Sequence, residues 1–175
     1  MAAVARIEKK FGNPCHLTDN LYSNMDKIQK ELIAALRGGQ AYETVQQILA
    51  EVPKGQRYKR PDGMGRSAWQ ILEHMRLSQE DLCAYSSNYD GTYRELNWPD
   101  DYWSTSLGDG DDWDKSLAGL AKAQAQMEGL VSNGDLTNPF PWEPSHCLLR
   151  QAILAIEHTA YHAGELVELT RALSS

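Results

Sequence analysis

Three of the five histidines in this chain, His74, His158 and His162, fall inside stretches of helical periodicity. His158 and His162 are four residues apart, so on a helix their side chains lie one above the other and both imidazoles can point at a common cation. His74 adjoins Met75 and follows Ile71 by three, at the edge of an apolar stripe, where a side chain reaches inward between helices. Three neutral imidazoles would leave one or more positions on a bound ion open to water or substrate, as reactive rather than structural sites do. Nitrogen ligands suit Zn, Ni, Fe and Cu without choosing among them. Spacing alone leaves the alternative open that these are core or surface histidines satisfied by hydrogen bonds.

Other chemistry is less well supported. A zinc-protease helix would place Glu directly after the first His of the pair; Thr159 stands there, and Glu157 precedes it. Cys83 and Cys147 have no base at helical spacing, and His16 and His146 stand beside helix starts, where turn or surface roles suffice. Asp109, Asp111, Asp112 and Asp114 lack the distal Glu of a calcium loop and read as solvated acids with a helix N-cap. Arg57, Tyr58, Lys59, Arg60 and Arg66 form a basic connector; near the mouth of a metal site it could recruit an anionic cosubstrate. Trp98, Trp103 and Trp142 could line the same mouth or cover the core.

The elements that must position the histidines are four amphipathic helices. The first runs from about Thr18 through Leu21, Met25, Ile28, Leu32 and Leu36 to Gly38-Gly39, and a short helical piece with Val45, Ile48, Leu49 and Val52 follows, placed across an end of the bundle. Ser67 and Gln70 have capping-box spacing ahead of the second long helix, which carries His74 and ends near residues 86–88. The third spans about Asp112 to Val131, and the fourth about Ser145 to Leu173, carrying His158 and His162. Residues 88–112 make a long aromatic loop that reads as a lid over one end, and 132–144, with three prolines, an irregular crossing. No segment alternates as a strand, so the expected fold is all-α, a four-helix bundle.

At 175 residues the chain suits one domain, 1–175. Its net charge of −7 excludes an extended phosphate-tracking surface, so nucleic acid is not expected as a partner. Three unpaired cysteines, a first stretch too short and too charged for a signal peptide, and the lack of a long apolar run point to the cytoplasm and away from membranes.

HTAYHAGELVELTRAL, residues 158–173, resembles the terminal H-x-x-Y-H-x-G-Q-L-V signature of the DinB-like, or YfiT-like, superfamily, and SAWQILEHM, residues 67–75, is similar to its second-helix motif. The resemblance covers about Leu17 to Leu173. It implies a four-helix bundle with up-down-down-up connectivity, a long crossover and a divalent ion, Ni or Zn, held by His74, His158 and His162. Tyr161 matches the signature tyrosine and Gly164 its glycine, which would permit close helix packing. Glu165 departs from the family's Gln; turned inward, it would orient an imidazole N–H. The resemblance further implies a thiol S-transferase or hydrolase with an open three-histidine site, using a low-molecular-weight thiol cosubstrate and a small-molecule substrate, and a homodimer. The other function carried forward is a non-catalytic, metal-stabilised bundle acting as a binding or structural protein.

Overall fold

In the computed structural model, residues 14–106 and 108–173 are described, with side chains inside the first helix only from residue 24 onward. Among them are five α-helices: α1 (Pro14–Arg37), α2 (Val45–Glu51), α3 (Ala68–Ser86), α4 (Asp112–Asn133) and α5 (Leu148–Leu173). A two-stranded antiparallel hairpin, β1 (Pro139–Phe140) and β2 (Glu143–Cys147), precedes α5. The fold is therefore all-α in character, a four-helix bundle of α1, α3, α4 and α5 with α2 as the short extra helix. No helix among the described residues is long and apolar enough to cross a membrane.

Cross-helix contacts give the chain direction. Gln29 reaches the Val131 carbonyl and Gln124 reaches that of Leu36, so numbers fall on α4 as they rise on α1, and the two are antiparallel. Between α3 and α4 the pairs rise together: Ser116 donates to Glu73, Gly119 lies against Arg76, and the Cys83 thiol donates to the Ala123 carbonyl. These two helices are parallel, and a Cβ at Gly119 would sit 2.5 Å from the Arg76 side chain, so the missing side chain lets them approach. Leu148 at the start of α5 packs beside Gly134 at the end of α4, which turns the chain back. The order is up, down, down, up.

Parallel neighbours explain the long connection. A 19-residue helix spans about 28 Å, and the chain must return over that length before α4 can start. Residues 87–111 do this along the outside of α3 instead of folding over one end. Tyr93 and Tyr102 both donate to Asp81, the Tyr102 carbonyl meets His74, and the carbonyls of Ser104 and Ser106 accept from Gln70. Gly108 then passes Trp69 with φ +77°, where a Cβ would be 2.6 Å from the indole. Both the positive φ and the approach require glycine.

Helix starts follow local chemistry in part. Ser67 and Gln70 form a reciprocal capping box at α3, and Thr44 and Gln47 form another at α2. Asp111 occupies the N-cap of α4 without a capping bond from its side chain, and the Asp112 carboxylate instead accepts from the Asp109 N–H. The first helix begins at Pro14, four residues ahead of Thr18, which is inside it. Residues 145–147 belong to β2, so the last helix starts at Leu148 and not at Ser145. Pro139 pairs with Cys147 and Phe140 with Glu143 across an irregular register, too short a ladder for any period-2 signature.

The core has two parts. One joins Val45, Ile48 and Leu49 of α2 to Trp69, Ile71 and Leu72 of α3, Trp113 of α4, and Leu166 and Leu169 of α5. The other joins Leu36, Cys83, Met127, Val131, Leu136, Phe140 and Leu148.

Candidate metal centre

His74, His158 and His162 come together between α3 and α5, each offering a ring nitrogen within 4.8 Å of the other two. His74 and His162 are 1% and 4% exposed, and His158 is the partly open member. The spacing within α5 and the inward edge of α3 place the rings as those periodicities require: the three imidazole centroids lie 4.5–4.9 Å apart, edge to face.

Hydrogen bonds assign the tautomers. His74 Nδ1 is 3.0 Å from the Tyr102 carbonyl, which only accepts, so Nδ1 carries the hydrogen and Nε2 keeps its lone pair. His162 Nδ1 is 2.8 Å from Glu165 Oε2, and a carboxylate again fixes the hydrogen on Nδ1. His158 Nε2 lies 3.0 Å from His74 Nε2, so in this state it donates its hydrogen to that lone pair. Glu165 has thus turned inward, onto a histidine. Outer partners of this kind, a backbone carbonyl and a carboxylate, orient the imidazoles that hold metal ions.

Charge on these rings is disfavoured. Burial pushes His74 down to about 4, against the pull of the Tyr102 carbonyl, and the neighbouring His162 and Arg66 push the same way. Burial also takes His158 to about 3, with His162 and His74 adding to it. His162 is lowered by burial as well, partly offset by Glu165. Neutral imidazoles are what a cation needs as ligands. Two nitrogens each about 2.1 Å from one ion lie about 3.0 to 3.4 Å apart, and the His74 and His158 nitrogens meet that span at 3.0 Å. The donor set fits a divalent ion: three neutral histidines able to coordinate it once the hydrogen on His158 Nε2 has moved to the Nδ1 of the same ring.

Aromatic rings enclose the group. Trp103 stacks on His74 with centroids 3.8 Å apart and planes within 7° of parallel, and the Arg66 guanidinium lies 4.7 Å from the Trp103 ring. Trp98, 69% exposed, approaches His74, and Tyr161, 73% exposed, stands edge-on to His162 at 4.9 Å. Trp142 is elsewhere, stacked on Phe140 at the far end. Gly164 is exposed, with nothing within 4 Å of where its Cβ would be, so close helix packing does not account for it.

The remaining reactive side chains stand outside the cluster. His146 Nδ1 is 2.7 Å from the Tyr85 hydroxyl. The buried Cys83 thiol is pushed up to about 12 by burial, and Cys147 is half-buried near Leu149 and Ile153. The side chains of Cys15 and His16 lie outside the described residues. One contributor escaped the sequence reading, the Tyr102 carbonyl, which no side-chain pattern can reveal, whereas Trp98 and Trp103, two of the three tryptophans read as lining the mouth, do stand beside His74.

Residues 37–166 match the sequence model of the DinB superfamily. No curated protein and no solved structure matches the chain. The family match covers most of the sequence and includes His74, His158 and His162, and the chain belongs to the DinB superfamily.

Proposed function

We propose, with membership of the DinB superfamily as the premise, that this chain binds a divalent ion, Zn or Ni, through His74, His158 and His162 and uses it in small-molecule chemistry, as a thiol S-transferase or a hydrolase. The observation that carries this reading is the convergence of three imidazoles, two of which give their Nδ1–H to an oxygen and keep Nε2 for a cation. No fourth His, Cys, Asp or Glu joins the group among the described residues, and three protein ligands leave room for a reactant. When bound, such an ion supplies a Lewis acid that activates a thiol or a water molecule.

The chain's own residues do the rest. Glu165 raises the basicity of His162 through the Nδ1–H bond, and the Tyr102 carbonyl does the same for His74. Trp103 covers the His74 ring against water, and the exposed Trp98 and Tyr161 offer apolar surface to a substrate at the rim.

A second reading, a metal-stabilised binding or structural bundle without catalysis, draws on the location of the cluster. One ion there would tie α3 to α5 through two almost fully buried rings. Metal analysis of His74→Ala, His158→Ala and His162→Ala tests the ligand assignment: each is expected to lose stoichiometric Zn or Ni, and full metal content in all three would sink it. Cobalt substitution separates the two readings. A visible spectrum that changes when dithiothreitol is added means an accessible position, whereas a spectrum unmoved by thiol favours the structural role.

A further inference from the structure

Beside the histidine cluster lies a cavity of about 510 Å³ whose lining includes Arg60, Arg66, Gln70, Asp100, Trp103 and Thr105. That volume is in the range of small-molecule pockets. It is adjacent to the cluster by construction: Gln70 is one helical turn before His74 on α3, and Trp103 carries both His74 and Arg66 against its ring system.

The two arginines are the feature to explain. Arg37, Arg76 and Arg171 are paired with carboxylates. Arg60 and Arg66 form no ion pair or hydrogen bond with any described residue, although Arg66 is held in place over Trp103 and is partly buried. Gln70 has no amide hydrogen to spare, since its Nε2 bonds the Ser104 and Ser106 carbonyls and so shapes the wall. Two planar five-donor groups facing one cavity suit an oxyanion. Asp100 lies in the same lining, which favours a single negative charge over a doubly charged phosphate.

We propose that this cavity is the substrate-anchoring part of the site and binds an organic carboxylate on Arg60 and Arg66, with the remainder of the molecule running along Trp103 toward His74, His158 and His162. The assignment to substrate rests on the metal-centre reading above, but the anion binding does not require the ion and is tested without it.

In metal-free, full-length protein the Trp103 indole N–H, identified by its loss in Trp103→Phe, is followed by NMR while 3-phenylpropionate, its primary amide or phenyl phosphate is added. The expected result is a saturable shift with the carboxylate and binding at least about tenfold weaker with the amide, the size of one lost charge-assisted hydrogen bond. Arg66→Gln and Arg60→Gln are each expected to weaken carboxylate binding by about the same factor while keeping the wild-type capacity for zinc. Arg60 is exposed, so its variant carries the test should Arg66→Gln fold poorly. Equal binding of acid and amide, or no effect of either arginine variant, overturns the proposal; phenyl phosphate binding about tenfold tighter than the carboxylate overturns its choice of anion. Failure of wild-type protein to take up zinc would instead strike the metal reading and leave the anion result standing.

Discussion

Two regions of this bundle, one toward each end, hold similar residues and put them to different uses. At one, residues 87–111 lay Trp98, Tyr102 and Trp103 beside three histidines. At the other, the β1–β2 crossing lays Phe140 and Trp142 beside Tyr85, His146 and, deeper in the core, Cys83. At the second end the Tyr85 hydroxyl engages His146, and the Cys83 thiol donates to a carbonyl in surroundings that keep it protonated. At the first end, the outer nitrogens of His74 and His162 are occupied and the inner ones converge. Histidine content does not distinguish a reactive centre from a packed one. Whether the remaining lone pairs meet at a point does.

The hardest test of that contrast is to remove one histidine from each end. His74→Ala is expected to abolish stoichiometric Zn or Ni by elemental analysis, and His146→Ala to leave it intact; equal metal content in the two would erase the distinction. Next comes the carboxylate on His162. Glu165→Ala should weaken metal affinity by about 10- to 100-fold, measured by competition with a chelator, and Glu165→Gln less, since an amide oxygen still accepts the Nδ1–H.

Acid should separate the ends more gently. With folded-state values near 4 for His74 and near 3 for His158, against about 6.5 in the unfolded chain, unfolded protein takes up protons first as pH falls. Stability contributed by keeping these rings neutral is present above about pH 6.5 and is lost as pH drops toward 4. Metal-free protein should therefore be less stable at pH 5 than at pH 7.5, and melt lower, by on the order of 2 kcal/mol for each ring. His74→Phe is expected to flatten part of that slope, and an unchanged slope would count against the burial of the ring. The smallest signal is a negative one: Cys83 should resist iodoacetamide at pH 8 in folded protein and react only on denaturation, as read by mass spectrometry.

Much of this was visible in the sequence because it is local. The i, i+4 pair His158 and His162, the inward edge at His74, and the Ser67–Gln70 box all depend on residues within a turn or two of one another. The features that escaped depend on partners far along the chain. The parallel run of α3 and α4 came with the family resemblance and its up-down-down-up order; what no residue near Asn88 says is that the loop returns along the outside of α3 instead of covering one end. The hairpin at 139–147 has a ladder too short to imprint alternation, so Ser145 reads as the start of a helix that begins at Leu148. Glu165 was visible as a departure from the family pattern, but only the fold shows that it faces His162.

The bond between His74 and residue 102 has a consequence for how this protein can change. The acceptor is a main-chain oxygen, so any amino acid at 102 brings it, and no single substitution there deletes the group itself. Variation in the strap can alter its rings, its charge and the shape of the neighbouring cavity while the imidazole keeps its orientation. A residue inserted or lost between Asp81's tyrosine partners and Gln70's carbonyl partners, at 93–104, would slide the oxygen out of register. The centre is thus tolerant of new side chains in its loop and intolerant of a new loop length, a combination that lets the surroundings change about a fixed set of histidines.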